Sequence, residues 1–199
     1  MHPPAIPFDE PSQPDSRIEW WFFHGRFGGE LAEARCFMVS LFRTRLPERN
    51  GRSANAFSAL ISVMDPATGS QWASSRVDRN LVESLAGPGA DDRVDPFSPR
   101  VVADELRQYG VPREFECPEA EPSFSPDPLS FHWGDLRVAS QPRGIELAFD
   151  EPGTGRPLLL ELTPMAPGMV IDAARKVGEP DEGMEYSSWP VMRLGGTAG

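Results

Sequence analysis

The segment from Ile18 to His24, "IEWWFFH", constrains the fold most, because it is apolar on both faces of a β-strand. Successive strand side chains point to opposite faces. One face therefore holds Glu19, Trp21 and Phe23, and the alternate positions from Ile18 to His24 form the other. We expect one face to pack in a core and the other to line a ligand cavity, with Trp20 and Trp21 both largely buried.

Glu19 admits two interpretations. In the first, it looks into an apolar space and acts as a general acid, since loss of hydration favours the neutral form of a carboxyl group. In the second, it is neutralised by an arginine, and Arg35, Arg43 and Arg193 are available. Carboxylic acids are rarely buried without a partner, so the sequence favours the ion pair. The general-acid interpretation of Glu19 remains an alternative.

The rest of the chain alternates short strand patterns with turns. A Gly-Gly hairpin turn in "RFGGEL" leads into a predicted strand from Glu33 to Arg43. Regular turns between short strands indicate an all-β fold, either an antiparallel β-barrel with an apolar lumen or a curved sandwich. Further strands are predicted in "AFSALISVMD", "SQWASSRVD", "LSFHWGDLRVAS", "GIELAFD", "PLLLELTP" and "EYSSWPVMRLGG".

One segment, at about residues 96–112, breaks the β pattern. Ser98 suits an N-cap, Pro99 suits the first helical position, and Gly110 suits the C-terminal end. The sequence therefore predicts one helical insertion, with its helix within Ser98 to Tyr109. It is either a lid on one end of the fold or a surface excursion.

The charge balance excludes several partners. The net charge is −11, and Lys176 is the only lysine. Nucleic-acid binding needs a basic surface, so we expect no nucleic-acid partner. No window has the apolar length of a transmembrane helix, and residues 1–16 form an extended, proline-rich segment without the features of a signal peptide. We therefore expect a cytoplasmic protein with no transmembrane segment.

No cofactor or metal is predicted. The chain has no glycine-rich phosphate-binding motif and no nucleophile elbow. His24 and His132 lack the spaced ligands of a metal site, and Cys36 and Cys117 are too few for a disulfide framework. The C-terminal segment "EYSSWPVMR" groups Tyr186, whose hydroxyl could orient a ligand or bond the backbone, with further polar residues.

Four segments in order, "RIEWWFFHGRF", "FSALISVMDPATGSQW", "LSFHWGDLRV" and "EYSSWPVMRLGG", resemble the carotenoid 1,2-hydratase/AttH-like family. The chain departs from the family pattern at Phe22, where tyrosine is usual, and at Trp189, which precedes Pro190. The resemblance covers nearly the whole chain and is weakest in the helical insertion. It implies a lipocalin-like β-domain over residues 17–199, and a second β-domain that this chain lacks and that would be its partner.

The resemblance also implies a function. Members act on hydrophobic polyene, polyketide or terpenoid substrates without a cofactor, by cyclisation such as a Diels–Alder reaction or by hydration of a double bond. The alternative is a lipocalin-like carrier that binds a lipophilic small molecule and does no chemistry. One fold hosts several reactions, so the family alone does not choose among them.

These expectations assign a site on the "EWW" strand and the C-terminal segment. Aromatic walls and a few donors suit a folded polyene. We also expect the face toward the absent domain to expose aromatic side chains, with Glu19 and Trp21 close to it. The predicted catalytic residues are Glu19, Tyr186 and Ser188, and the predicted substrate-binding residues are Trp21, Phe23, His24, Phe37, Arg43, Trp72, Trp133 and Trp189.

Overall fold

The computed structural model describes residues 18–28, 34–49, 52–86, 100–113, 115–165, 169–173, 184–188 and 192–198. Within these ranges the chain is mostly β-strand, as predicted. The elements are β1 (Ile18–Phe27), β2 (Arg35–Arg49), β3 (Arg52–Asp65), β4 (Ser70–Val77), α1 (Arg79–Ala86), α2 (Arg100–Tyr109), β5 (Phe115–Glu116), β6 (Ser123–Pro126), β7 (Leu129–Trp133), β8 (Leu136–Gln141), β9 (Gly144–Asp150), β10 (Pro157–Pro164), β11 (Met169–Ala173), β12 (Met184–Ser188) and β13 (Met192–Ala198).

The strands form two main sheets rather than one closed barrel. The first sheet has the order β1-β2-β3-β4-β5, and the second has the order β13-β10-β9-β8-β7-β6. Strands β11 and β12 pair separately. All described pairings are antiparallel except β4 with β5. Of the two predicted architectures, the described residues therefore form the open sandwich.

The core lies between the two sheets. Alternate residues of β1–β3 pack against alternate residues of β7–β10, as the two-residue strand period requires. Phe37, Val39 and Leu41 contribute from the first sheet, and Phe131 and Leu147 contribute from the second, all nearly inaccessible to water. This continuous apolar layer is what holds the sheets together.

Among the described residues, the helical insertion holds two helices, of which one was predicted. Helix α2 begins at Arg100 and ends at Tyr109, within the expected bounds. The predicted capping positions Ser98 and Pro99 lie outside the described residues. Helix α1 was missed, so the insertion begins earlier than residue 96. Asp78 caps α1, because its side chain accepts a hydrogen bond from the Asn80 backbone N–H at 2.9 Å. The sequence analysis took Asp78 only as the end of a strand.

The first hairpin is confirmed, but its predicted tight turn is wrong. Phe27 pairs with Arg35 and Glu19 pairs with Arg43. A two-residue loop at Gly28 and Gly29 would instead pair Phe27 with Glu30. The connection is therefore longer, and β2 begins at Arg35 rather than at Glu33.

The two faces of β1 are as predicted, but their burial is not. Trp21 packs against the core, whereas Trp20 keeps 42% of its surface exposed. Trp20 points away from the second sheet, so the expectation that both rings are largely buried is wrong for Trp20. The exposed rings on β1, Trp20 and Phe22, lie on the face opposite Glu19 and Trp21. The expected exposure of aromatic side chains toward a second domain stays a prediction. Neither described helix is long and apolar enough to cross a bilayer.

Candidate functional site

Glu19 and Arg43 form an ion pair on the inner side of the first sheet. The two residues are direct cross-strand partners on β1 and β2. Arg43 Nη2 lies 2.7 Å from Glu19 Oε2, with side chains 4% and 13% exposed respectively. The ion-pair interpretation of Glu19 is therefore correct, and Arg43, one of the three candidate arginines, is a partner. The side chain of Arg193 lies outside the described part of the chain.

Aromatic rings enclose this pair. Phe124, on β6 of the second sheet, has its ring centroid 5.5 Å from both the Trp21 and the Phe57 centroids. The Arg43 guanidinium carbon lies 6.0 Å from the Phe124 centroid, at the limit of a cation–π contact. Arg43 Nη1 also donates a hydrogen bond to Asn55 Oδ1 at 3.3 Å. We call Glu19, Trp21, Arg43, Asn55, Phe57 and Phe124 the Arg43 cluster.

The Arg43 cluster combines three chemical capacities in one place. The guanidinium carries five N–H donors in a fixed plane, which suits a carbonyl or carboxylate oxygen. The Glu19 carboxylate accepts hydrogen bonds and protons. The partly buried rings of Trp21 and Phe124, which contact each other, supply an apolar aromatic surface beside the ion pair. Partial exclusion of water strengthens each polar interaction there.

Three predicted substrate-binding residues belong to the packed core instead of an open wall. Phe23, Phe37 and Trp133 are 9%, 2% and 1% exposed. The Trp133 indole N–H donates to the Ala120 carbonyl at 2.9 Å, so its polar atom is already satisfied. Their large areas stabilise the sandwich, and the structure does not place them in the Arg43 cluster.

His24 and Trp72 lie apart from the cluster. His24 is on the outer face of β1, with its ring centroid 5.1 Å from that of Phe22. Trp72 packs against Gly153, where an added Cβ would come within 2.3 Å of the indole. Trp72 therefore packs against the connection between β9 and β10.

The C-terminal residues of the predicted site are described only by their backbone. Tyr186 and Ser188 lie on β12, in register with Ile171 and Met169 of β11. Trp189 lies outside the described residues. Their approach to Glu19 therefore stays a prediction.

Sequence reasoning missed Asn55, Phe57 and Phe124. No strand was predicted at Phe124, but it lies in β6, which pairs with β7 across a short turn. The signal was present in "SFSPDPLSF", where Asp127-Pro128 marks a turn between two alternating segments. Asn55 gave no such signal, because its place beside Arg43 depends on the pairing of β3 with β2.

Two further buried ion pairs connect the two sheets. Arg35 pairs with Glu151, whose side chain is fully buried. Arg76 binds the β7–β8 turn: its Nη2 lies 2.6 Å from Asp135 Oδ1, and its Nη1 donates to the Trp133 carbonyl at 3.1 Å. These contacts hold turns in place, which indicates a structural role.

Among the residues that the structure describes, no group of three or more histidine, cysteine, aspartate or glutamate side chains is arranged to hold a metal ion. Comparison of the chain with protein-family models, with curated proteins and with solved structures finds no match.

Proposed function

We propose that this chain is a cofactor-independent enzyme domain that acts on a hydrophobic polyene, polyketide or terpenoid substrate, by cyclisation or by hydration of a double bond. The observation that carries the proposal is the Arg43 cluster, in which a nearly buried ion pair lies against aromatic rings. The resemblance of the four sequence segments supports the same class of substrate.

In the proposed reaction, Arg43 binds a carbonyl oxygen that is conjugated with the reacting double bonds. A hydrogen bond from a charged donor withdraws electron density from the alkene. For cyclisation, this polarisation and the folded shape imposed by Trp21 and Phe124 lower the barrier without net proton transfer. Product and substrate are then isomers.

For hydration, water adds to the polarised alkene carbon and loses a proton to Glu19. The same proton is delivered to the neighbouring carbon, so one water is consumed and Glu19 is regenerated. Because Arg43 compensates its charge, we assign Glu19 the role of proton acceptor rather than that of a neutral acid. Tyr186 and Ser188 are kept as further hydroxyl donors to the substrate.

The test compares two probes that differ only at the polar end, all-trans-retinal and all-trans-retinol. Retinal carries the conjugated carbonyl, so we expect it to bind about tenfold more tightly, as one charge-assisted hydrogen bond allows. Arg43→Met should remove this preference. Arg137→Met, at an exposed pair on the outer face of the second sheet, is the matched control and should retain it.

Chemistry is followed by loss of the polyene absorbance and by product mass, which rises by one water for hydration and is unchanged for cyclisation. Glu19→Gln should keep retinal affinity and slow hydration by about 100-fold or more. Tight binding by the wild-type chain with an unchanged polyene would identify a carrier instead. Failure of both probes to bind would reject the proposal.

A further inference from the structure

The outer face of the first sheet carries most of the large apolar side chains that are exposed among the described residues. Of nine large apolar side chains that are exposed among the described residues, six lie on this face, between 36% and 45% exposed. We call it the aromatic face. These six residues are Ile18, Trp20, Phe22, Phe42, Met64 and Phe115.

The strand pairings place these side chains together. Trp20 pairs with Phe42, and Phe22 lies in register with Ser40, Leu60, Ser75 and Phe115 across the sheet. Phe115 belongs to this face because its neighbour Glu116 points to the other side, toward Arg76 at 3.6 Å. Ile18, Trp20, Phe22 and Phe42 therefore lie side by side on β1 and β2, and Met64 and Phe115 lie farther across the same face, on β3 and β5.

Charge distinguishes this face from the rest of the surface. At its described positions on β1–β4 there is no aspartate or glutamate, in a chain of net charge −11. The outer face of the second sheet carries Glu146, Asp150 and Glu161 instead. Two copies of an acidic chain repel each other over most of their surface, but they can meet through the aromatic face without opposing carboxylates.

The sizes of the side chains differ across the face. The β1–β2 half carries the rings of Trp20, Phe22 and Phe42, whereas on the other half the small residues Ala73 and Ser75 lie between the strands that carry Met64 and Phe115. A two-fold axis parallel to the central strands would place the rings of β1 and β2 in one copy over β3–β5 of the other, where β4 offers room between the larger side chains. This is the isologous arrangement of a C2 dimer, with the two sheets packed face to face.

We propose that the aromatic face binds a second copy of this chain, as a two-fold symmetric dimer. The exposed parts of the six large side chains supply roughly 500 Å² of apolar surface per copy, taking large side chains at about 200 Å² each. A specific interface buries about 800 Å² per partner. An interface that rests mainly on these side chains lies at the weak end of specific interfaces, and the proposal is independent of the Arg43 cluster on the opposite side of β1.

The first experiment measures the mass of the full chain against concentration by analytical ultracentrifugation. We expect a monomer–dimer equilibrium in the micromolar range. Trp20→Ser and, separately, Phe115→Ser should each weaken it roughly 30-fold, the effect of losing an interface hot spot. Leu159→Ser removes a similarly exposed side chain (37%) from the outer face of the second sheet, and it should change nothing.

The second experiment tests the geometry with a short bismaleimide cross-linker, with Cys36 and Cys117 replaced by serine. His24→Cys and Ala73→Cys lie three strands apart in one chain, about 14 Å, whereas two sheets packed face to face lie about 10 Å apart. A linker chosen to reach the shorter distance but not the longer one should join two copies and should not join the pair within one chain. The control pair Ser130→Cys and Glu161→Cys is also three strands apart, on the second sheet, and should stay unlinked.

Three outcomes would overturn the proposal. The chain could stay monomeric at its highest soluble concentration, whether its own N-terminal residues, a lipid or nothing covers the face. Leu159→Ser could weaken the dimer as much as Trp20→Ser does. The control cysteine pair could cross-link as efficiently as the test pair. Each result would show that the aromatic face is not where two copies meet.

Discussion

The Arg35–Glu151 and Glu19–Arg43 pairs are built from the same two chemical groups but connect different parts of the chain. Arg35 and Glu151 are 116 residues apart and join the first sheet to the connection between β9 and β10. Arg35 also lies over the Phe27 ring at 4.9 Å, and the Thr154 hydroxyl donates to the second Glu151 oxygen at 2.7 Å. Glu151 is therefore the centre of a bonded network that spans both sheets.

Glu19 and Arg43, in contrast, join neighbouring strands that their backbone pairing already aligns over ten positions. The sandwich does not need this pair to bring its sheets together. Burying a guanidinium and a carboxylate still costs desolvation energy, so the position of the pair calls for an explanation other than architecture. Two buried ion pairs can therefore differ in function. The Glu19–Arg43 pair, which joins neighbouring strands, is the better candidate for ligand chemistry.

The largest effect is expected at Glu151. Glu151→Ala should lower the free energy of unfolding by about 3–5 kcal/mol, because it removes one partner of a buried pair and leaves the Arg35 charge uncompensated. Urea denaturation at low protein concentration measures this change. Glu161→Ala, at an exposed glutamate on β10, is the control and should cost under about 0.5 kcal/mol. Equal losses in the two variants would contradict the inter-sheet role.

A smaller loss is expected for Arg43→Met, about 2 kcal/mol, because Glu19 remains partly accessible to water and keeps some hydration. The double variant Glu19→Met with Arg43→Met should recover most of that stability, since it removes both charges. Thermal unfolding of the two variants and the wild-type chain tests this. If the double variant is as unstable as Glu151→Ala, the pair is architectural after all.

Glu19→Gln should cost less than about 1 kcal/mol, because the amide keeps the shape of the side chain and one acceptor oxygen for Arg43. This small effect sharpens the comparison, since the same change is expected to remove most of the hydration activity. Chemical denaturation and the retinal assay are run on the same preparation. A loss of activity matched by a large loss of stability would remove the distinction between the two pairs.

The smallest effect is expected at the exposed Arg137–Glu146 pair, which is 3.3 Å apart with Arg137 54% exposed. Arg137→Ala should change the free energy of unfolding by no more than about 0.5 kcal/mol, because solvent and side-chain entropy offset exposed ion pairs. At high salt, the free energy of unfolding of the variant should be nearly the same as that of the wild-type chain. A loss of unfolding free energy comparable with that of Arg43→Met would show that burial does not determine how much each ion pair stabilises the fold.

Much of the fold could be predicted because strand faces follow from a period of two. The division of β1 into one face with Glu19 and Trp21 and another with Trp20 needed no partner strand. The sequence could not select Arg43 from the three candidate arginines, because the cross-strand register depends on the length of the loop. A tight turn at the two glycines would have placed Met38, rather than Arg43, opposite Glu19.

Burial was harder to predict than orientation. An apolar side chain such as Trp20 or Phe22 is equally compatible with a core and with an interface, since both exclude water. From the sequence we expected a core on one side of β1 and a ligand cavity on the other. In the structure, one side of β1 packs in the sandwich and the other is an exposed aromatic surface. Helix α1 was missed because it is only eight residues long, close to the lower limit of a recognisable helical pattern.

The adjacency of Trp20 and Trp21 has a spectroscopic consequence. One peptide bond separates two indoles whose surroundings differ, one partly hydrated outside the sheet and the other packed beside Phe124. Emission from Trp20 should move to shorter wavelength when water leaves the outer surface, whereas emission from Trp21 should respond to a polyene beside Arg43 through energy transfer. The fluorescence of the two neighbouring tryptophans thus reports on opposite sides of the same strand.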